Sequence, residues 1–592
     1  MSGMMQCRDM ALTGLRRGDS LASGDFRTLR RAGRVQMFRL LPCLAIVCMA
    51  IFPSSRLAAQ PSSSAQPLEA VITEALAVRE GEPGTPAFAA AAEAYRGVLA
   101  KARQIDRDRL GLDDQVDHDL LIAHVRTRLF EMETLRLHEV TPAFVFALEK
   151  TNRLFIRPGA LSDGAVKEAA SELRALPAVL ARAKQNLKNP ARTWTENGIY
   201  QAYYARLLLK DYVPTVSTDD PAVKRDLIAA AGPALAAVDD FTRWLKTDLL
   251  PRSTRAPAWK PEEIEFYQFV QEQLDDYSVE EMLRIAEGEE RVLLTEMRDL
   301  ARQIHPSGDL RTTWEAMKNE APPWDHVVPM AQRYVDMMSD WLRGPGAHIV
   351  TIPDYIDYGA RLTPPMGRRI LSFGGATGGP TVAGRQSGYY VLTPLEDILT
   401  PEERASRIKS YNPYWTHVIS YHEWLGHNVQ IASRNQHVTR PMRRAYRSAY
   451  FSQSWSFYLE RLMEEEGYYK TLPYMEELKT RMARRQMRMW RVQRILTKLR
   501  MARGEMTFDQ AVAAYVEKIG MEPTNAFIEV QRDSQTPASP GREIIGELEI
   551  VKLREEYKRR MGEHYSMKHF HDTLLTYGDL PFKQIRMLMF RE

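Results

Sequence analysis

Apolar residues recur at helical spacing through most of the chain. Between residues 120 and 135 the apolar positions lie three to four residues apart, with acidic residues before them and arginines between them, as in an amphipathic helix. Similar stretches follow, and Pro or Gly marks several of their ends. These stretches are 163–189, 192–212, 220–248, 278–304 and 326–343. Because no repeat of fixed period is present, a solenoid is disfavoured, and the pattern predicts a mainly α protein.

One segment departs from the helical pattern. Residues 347–394 are rich in β-branched and aromatic residues and include a strand-like stretch at 388–393, which predicts a small β element at 368–393. The glycine-rich stretch 373–380 lacks the Gly-Lys-Ser/Thr of a phosphate-binding loop, so we expect a turn whose backbone passes close to a cleft. After Pro401 the helical pattern returns and continues to the end.

The first 59 residues have the order of an export signal. A basic stretch precedes an apolar run from Leu40 to Phe52, and small residues follow up to Ala59, which predicts a signal peptide cleaved near Ala59 and an exported product, periplasmic or secreted. The run is short for a bilayer span, although a single N-terminal anchor is the alternative, and Met37 is a second possible start. We expect a polar tether at 60–69 and one helical domain at 70–592, with no membrane span in the mature chain.

Charge and cysteine content separate the leader from the rest of the chain. The chain has 80 Lys and Arg against 76 Asp and Glu, a net charge of +4. Residues 1–59 contain nine Arg and three Asp, a net charge of +6, so the remainder has a net charge of −2 and no nucleic-acid partner is implied. All three Cys lie in the leader, so the mature chain has no disulfide, no Cys-bound zinc and no thiol nucleophile.

The stretch 421–430, Tyr-His-Glu-Trp-Leu-Gly-His-Asn-Val-Gln, is the main candidate for catalytic chemistry. Two helical histidines can hold Zn²⁺ while an adjacent Glu, here Glu423, takes a proton from water. His422 and His427 are five residues apart instead of the usual four, which places them about 140° apart on a regular helix. Both can bind one ion only if the helix takes in an extra residue as a π-bulge, which Gly426 would permit. The alternative is a surface helix with two unrelated histidines.

A zinc site of this type needs a third protein ligand, commonly a Glu on a following helix. The candidate helix spans 451–462, where Gln453 and Glu460 are seven residues apart and therefore lie on nearly one face. A Glu beside an aromatic stripe can equally form an ion pair. Near the C-terminus, His569 and His571 are further candidates for the cleft, although such histidines are also common at helix starts.

These residues resemble the bacterial family known as domain of unknown function 885 (DUF885), whose metallopeptidase-like members are often exported. The resemblance rests on five stretches: 113–121, 387–391, the motif at 422–430, 546–554 and 570–581. It implies a large helical, zincin-like body around a deep cleft with a small β element at its edge. It also implies a zinc-dependent peptidase, with the metal-site half at about 347–592.

The chain departs from the family pattern at two positions. The family usually has H-E-x-x-P-G-H, whereas His422-Glu-Trp-Leu-Gly-His427 is one residue shorter and is similar to the H-E-L-L-G-H of the dipeptidyl peptidase III family. The family usually has E-G-W-A-L-Y-x-E, and related helical zincins use its first Glu as the third ligand. Here that position is Gln453.

The zinc hypothesis gives each candidate a role. Zn²⁺ is held by His422, His427 and a residue of the following helix, and we favour Gln453 because the resemblance places this position beside the metal. Glu460 either replaces Gln453 or orients a histidine through its ring N–H. Glu423 takes a proton from water and later gives it to the leaving amine.

Substrate binding is expected at two further places. His571, or His569, donates a hydrogen bond to the oxyanion. Tyr389 and Tyr390 lie on an exposed strand edge that pairs with an extended peptide. The expected substrate is a peptide or an amide-bearing small molecule, and the oligomeric state stays open. The alternative is an inactive helical cleft protein that binds peptides or small molecules with weak or no zinc, which Gln453 favours.

Overall fold

The computed structural model describes residues 65–591, apart from 147, 157–160, 355, 369–370, 383–384 and 396–398. The predicted leader at 1–59 and the first half of the predicted tether lie outside the described residues. The second half of the tether is helical, since the first helix spans Ala65–Ala77. Leu68 on this helix is only 2% exposed, so the helical body begins before residue 70 because an apolar side chain of the tether packs into the core.

Helices account for most of the described residues, as the periodicity predicts. In chain order the α-helices are α1 Ala65–Ala77, α2 Pro86–Gln104, α3 Leu112–Leu129, α4 Leu137–Val140, α5 Glu149–Arg153, α6 Asp163–Asn186, α7 Arg192–Leu207, α8 Pro221–Trp244, α9 Pro261–Phe266, α10 Val279–Ile304, α11 Leu310–Lys318, α12 Trp324–Arg343, α13 Pro401–Ile408, α14 Pro413–Tyr421, α15 Val429–His437, α16 Pro441–Ala445, α17 Ala449–Glu465, α18 Tyr474–Ala502, α19 Phe508–Ile519, α20 Pro523–Ser534, α21 Ile544–Met561, α22 Met567–Thr576 and α23 Phe582–Phe590. The stretches predicted to be helical correspond to α6, α7, α8, α10 and α12. No helix among the described residues is long and apolar enough to cross a bilayer.

Several helices contain or end in a π-helical turn, in which the backbone takes in one extra residue per turn. These turns span Phe130–Leu135, Leu208–Tyr212, Leu245–Leu249, Tyr267–Gln271 and His422–Asn428. The last turn connects α14 to α15, so residues 413–437 form one continuous helical segment.

A small sheet interrupts the helices at the predicted place, but it begins earlier than expected. Its strands are β1 Ile356–Leu362, β2 Gly374–Val382 and β3 Arg385–Leu392, in the order β1-β3-β2. β1 runs parallel to β3 and β2 runs antiparallel to it. The glycine-rich stretch predicted to be a turn forms most of β2. A side chain at Gly374 would collide with the carbonyl oxygen of Val391 on β3, so glycine permits the close pairing of these strands.

Two large hydrophobic clusters organise the helices. One lies among α6, α7 and α8 and includes Leu173, Leu227 and Phe241. The larger cluster joins α10, α14, α17 and α18 with the sheet. Gly388 of β3 faces the π turn, where a side chain would come within 2.7 Å of Asn428. The sheet and α17 therefore pack directly against the turn that carries His422 and His427.

Candidate metal centre

The π turn aligns the two histidines of the motif. The helical segment begins with Asn412, whose side chain accepts a hydrogen bond from the Trp415 N–H at 3.1 Å, followed by Pro413 at the first helical position, a favourable helix start. The turn from His422 to Asn428 is π-helical, so residues five apart share one face. The ring centroids of His422 and His427 are accordingly 5.1 Å apart.

Gly426 lies within this turn and is required for a packing reason. A side chain at this position would come within 2.6 Å of Ser456 Cα on α17. The sequence suggested that Gly426 permits the unusual backbone, whereas the structure shows that it permits the close approach of α17. This contact brings the side chains of α17 to the histidines.

The donor atoms of His422, Glu423 and His427 lie within 4.8 Å of one another, and this is the group of three metal-ligating side chains found among the described residues. Glu423 Oε2 is 3.9 Å from His427 Nε2. Burial lowers the pKa of His422 well below its usual value and lowers the pKa of His427 to about 3. Both rings are therefore neutral at physiological pH, which is the form that binds a metal ion.

Glu460 contacts a histidine ring. Its Oε1 lies 2.7 Å from His422 Nδ1, and the side chain is buried. Burial raises the pKa of Glu460 to about 7, against the opposing effect of Arg491. A carboxylate that accepts a hydrogen bond from Nδ1–H leaves the Nε2 lone pair for an ion and fixes the ring orientation. Of its two predicted roles, this geometry fits orientation of the ring.

Gln453 lies two helical turns before Glu460 on α17 and lines the same cavity as His422, Glu423 and His427. Two neutral imidazoles and an amide oxygen form an N,N,O donor set that fits Zn²⁺ and leaves one coordination position open. The residue types present therefore fit a zinc ion, and Gln453 would supply a neutral third donor in place of the usual carboxylate.

Glu423 lies beside the sheet, with its side chain only 12% exposed. Burial raises its pKa to about 7, while Arg491 and the backbone N–H of Ala376, which donates a hydrogen bond to the carboxylate, lower it. A carboxylate with a pKa close to the working pH is suited to take up and release a proton. The hydrogen bond from Ala376 also shows that one edge of β2 faces Glu423.

These side chains line a cavity of about 640 Å³, the metal cavity. Among the described residues its wall also includes six arginines and three carboxylates besides Glu423: Arg434, Arg447, Arg491, Arg494, Arg532, Arg542, Glu529, Asp533 and Asp579. The sequence analysis missed these arginines. A signal for two of them was present, because Arg484, Arg488, Arg491 and Arg494 recur every three or four residues in a helix that is otherwise rich in buried apolar residues.

The predicted substrate-binding role of Tyr389 and Tyr390 is wrong as stated. They lie on β3, the central strand of the sheet, and are 0% and 1% exposed. Both edges of β3 are already paired, so it offers no free edge. Tyr390 packs in the large hydrophobic cluster, whereas Tyr389 lies on the opposite face beside Val391, because side chains alternate along a strand.

His571 is buried outside the metal cavity, and this structure gives no support to its predicted contact with the oxyanion. Its Nδ1 lies 2.8 Å from the carbonyl oxygen of Ile349 and its Nε2 lies 3.1 Å from the Tyr458 hydroxyl. Both ring nitrogens are therefore engaged by the protein. Its neighbour His569 is exposed and lines a separate, larger cavity of about 770 Å³, the second cavity, together with His437 and Asp572.

Comparison with known proteins identifies relatives of the whole helical body. A family model described as "Bacterial protein of unknown function (DUF885)" matches residues 79–589. A solved structure of a candidate lipoprotein of unknown function from Shewanella oneidensis is 19% identical, with a TM-score of 0.66, and the match covers 89% of this chain and 100% of that chain. A candidate lipoprotein from Colwellia psychrerythraea is 16% identical, with a TM-score of 0.70 and coverage of 90% and 100%. No curated protein matches the sequence. At these identities the structural similarity shows the fold alone.

Proposed function

The chain belongs to the DUF885 family, and from the geometry of its metal cavity we propose that it is a zinc-dependent hydrolase that cleaves peptide bonds. The observation that carries this proposal is the group formed by His422, Glu423 and His427, whose donor atoms lie within 4.8 Å of one another in a cavity wall. Few protein ligands, an open position and a nearby carboxylate are typical of catalytic zinc sites, whereas structural zinc sites are closed.

In this proposal His422, His427 and Gln453 hold the ion. When bound, zinc supplies Lewis-acid polarisation of the scissile carbonyl and a lowered pKa for the attacking water. Glu460 accepts the Nδ1–H of His422 and so keeps Nε2 of this ring directed at the ion.

Glu423 moves the proton. Its carboxylate takes a proton from water as the oxygen attacks the carbonyl carbon, and gives the proton to the leaving nitrogen. Burial supports this role because it brings the pKa of Glu423 to about 7, so that the same group can act first as base and then as acid. The Ala376 N–H restricts the position of the carboxylate.

The edge of β2 supports an extended peptide as substrate. β2 pairs with β3 along one edge, and the residues Gly374, Gly375 and Ala376 line the metal cavity. An extended peptide can add to such an edge through main-chain hydrogen bonds, which tolerate many side chains.

Gln453 favours a second candidate function, a protein that binds peptides or amide-bearing small molecules in this cavity without cleaving them. A Gln ligand leaves the charge of the dication uncompensated and weakens its retention. If the ion is lost, the cavity keeps its strand edge and its arginines, which still bind a ligand.

Zinc content and peptide cleavage separate the two functions. We expect about one zinc per purified chain and cleavage of a mixed peptide library that stops with chelator and returns with added zinc. Glu423→Gln is the matched control, since it keeps the shape of the side chain and should retain zinc without cleavage. Peptide binding without turnover in the zinc-loaded wild type would support the second function.

We also propose that the protein is exported. The order of residues 1–59 is that of a signal peptide, and both solved relatives are described as candidate lipoproteins. N-terminal sequencing of the native protein should find a mature start near Gln60, whereas an intact Met1 or Met37 would contradict export with cleavage.

A further inference from the structure

Arg491 is a buried cation that forms only a long ion-pair contact among the described residues. It lies on α18, lines the metal cavity and is only 6% exposed. Among the described residues, the carboxylate oxygen in contact with it is Glu460 Oε1, which lies 3.8 Å from Arg491 Nη2. Nη1 donates a hydrogen bond to the Met487 carbonyl at 3.3 Å, and among the described residues the buried Nε finds no acceptor. Burying a guanidinium whose N–H groups are not all hydrogen-bonded costs free energy, unless a bound anion accepts the remaining hydrogen bonds.

Other arginines of the cavity have close acceptors. Arg494 contacts Glu543 and also Glu529 at 3.0 Å, and Arg532 contacts Glu529 at 2.6 Å. Burial lowers the pKa of Arg491, whereas the carboxylates around Arg494 hold its pKa well above the usual value against the effect of burial. Arg494 and Arg532 therefore belong to an internal ion-pair network. Among the described residues the Nε atoms of Arg434 and Arg494 also lack a hydrogen bond, but each lies 3.3–3.4 Å from a carboxylate oxygen, whereas the carboxylate contact of Arg491 is at 3.8 Å.

Arg491 is held beside the candidate metal ligands. Its guanidinium lies over the Trp490 ring, 4.5 Å from the ring centroid, which restricts it to one place. The oxygen that it approaches, Glu460 Oε1, is the same atom that contacts His422 Nδ1 at 2.7 Å. A single carboxylate oxygen therefore separates the guanidinium from the imidazole, and Arg491 lines the same cavity as His422 and Glu423, so an anion bound by Arg491 shares that cavity with the candidate metal ligands.

We propose that Arg491 binds the free C-terminal carboxylate of the substrate, and that the protein removes a short C-terminal unit from peptides. This inference rests on the proposed function. Guanidinium and carboxylate match each other as a planar pair with two parallel hydrogen bonds. The main-chain carboxylate is favoured over an acidic side chain because it lies only a few bonds from the last amide bond and is present in every peptide.

The reaction is a hydrolysis and balances without a co-reactant. The hydroxyl of water bonds to the acyl carbon, the C–N bond breaks, and the second proton of water goes through Glu423 to the leaving nitrogen. The products are a shortened peptide with a new carboxylate and a released amino acid or short peptide that carries the carboxylate held by Arg491.

The test compares N-acetyl-alanyl-alanine with its C-terminal amide in two measurements. The first is calorimetric binding to the zinc-loaded Glu423→Gln protein, where we expect the acid to bind about 100-fold more tightly than the amide. Adding Arg491→Gln should reduce this ratio to about one, and Arg491→Lys should keep part of it. The second is wild-type cleavage, where the same preference should appear in kcat/KM.

Arg447→Gln is the matched control. Arg447 also lines the cavity, but it donates to the carbonyl oxygens of Arg444 and Tyr446 at 2.6 and 2.7 Å, so its loss should leave the ratio of acid to amide binding unchanged. Zinc content and thermal unfolding of each variant show whether fold and ion are kept. If Arg491→Gln does not fold, the ratio of acid to amide binding is measured on the Arg491→Lys protein instead.

Three outcomes overturn the proposal. The acid and the amide of N-acetyl-alanyl-alanine bind equally, or Arg491→Gln leaves the ratio of acid to amide affinity unchanged. In the third outcome, the amide of N-acetyl-alanyl-glutamate binds more tightly than N-acetyl-alanyl-alanine, which would place an acidic side chain at Arg491. Failure of the proposed function looks different. A protein that holds no zinc and cleaves neither probe, yet prefers the acid in an Arg491-dependent way, would contradict hydrolysis while keeping the carboxylate site.

Discussion

The metal cavity and the second cavity both contain two histidines and at least one carboxylate, yet they differ in how these groups are used. In the second cavity His569 lies 3.0 Å from the Tyr557 hydroxyl, and Asp572 accepts hydrogen bonds from the Thr351 N–H at 2.8 Å and from Lys568 at 2.6 Å. In the metal cavity His422, Glu423 and His427 lie within 4.8 Å of one another.

The difference shows that cavity size is a poor guide to chemistry. The second cavity is larger, about 770 Å³ against about 640 Å³, but His437 and His569 are exposed and Asp572 is satisfied by its neighbours. The metal cavity instead holds two largely desolvated, neutral imidazoles and a carboxylate whose pKa is raised to about 7. Groups desolvated in this way and held together are the ones that can bind an ion and move a proton.

Glu423→Gln should have the largest effect. Without the carboxylate that takes the proton from water, kcat for peptide cleavage should fall about 1000-fold, while zinc content stays near that of the wild type. Asp572→Asn, the equivalent change in the second cavity, should leave kcat unchanged. Steady-state kinetics with metal analysis checks both, and a Glu423→Gln protein with a tenth or more of wild-type activity would contradict the assignment.

His427→Ala should weaken zinc binding by about 100-fold or more, because one of a small number of ligands is removed. Competition with a chromogenic chelator measures the affinity. The matched control is His437→Ala, ten residues further along the same helical segment, where the imidazole lines the second cavity. Equal zinc affinities of the two variants would remove the distinction between the cavities.

Glu460→Gln should lower zinc affinity about 10-fold, since the carboxylate that orients His422 acts through the ring. Zinc should still bind in stoichiometric amount at high concentration. A Glu460→Gln protein that binds no zinc, together with a Gln453→Ala protein that binds normally, would show that Glu460 is the third ligand.

Gln453→Glu should tighten zinc binding about 10-fold, because an anionic ligand offsets part of the charge of the dication, and should keep or raise activity. The same competition assay measures the change. Ser452→Glu, which adds a carboxylate at the preceding position of the same cavity wall, is the control for a general charge effect. Equal tightening in both proteins would argue against Gln453 as a ligand.

His569→Ala should have the smallest effect. The side chain is exposed at the second cavity, so the free energy of unfolding should change by about 0.5 kcal/mol or less, and zinc affinity should not change. Chemical denaturation and the chelator assay check the two quantities. A loss of zinc affinity in this variant would mean that the second cavity takes part in metal binding.

Local sequence patterns predicted the helices well because each buries one apolar face and carries its own end signals. α6, for example, begins after Ser162, whose side chain accepts a hydrogen bond from the Ala165 N–H, and such caps are visible in the sequence. The sheet was predicted less well. The glycine-rich stretch is a strand because it pairs with the next strand, β3; glycine is depleted in strands, so the stretch has a low strand propensity, but its lack of a side chain permits this close pairing.

The candidate site also has some features that local sequence predicts and others that it does not. The spacing of His422 and His427 required a π turn if both were to face one ion, and the structure contains that turn. This requirement is local, because five intervening peptide units determine it. Tyr389 and Tyr390 illustrate the limit, since an alternating pattern marks a strand without showing whether the strand lies at the edge or the centre of its sheet.

The sequence by itself determined the helical class, the approximate position of the β segment and the requirement for a π turn between His422 and His427, because these depend on residues close together in the chain. Only the tertiary structure decided that Glu460 contacts His422, that β2 is the edge strand beside Glu423, and that Arg491 lies buried with its carboxylate contact at 3.8 Å among the described residues. Each of these depends on packing between separate elements: Gly426 permits the close approach of α17, Gly374 permits the close pairing of β2 with β3, and α18 places Arg491 near Glu460. Burial then sets the charge and pKa of the side chains, and no local pattern encodes burial by distant elements.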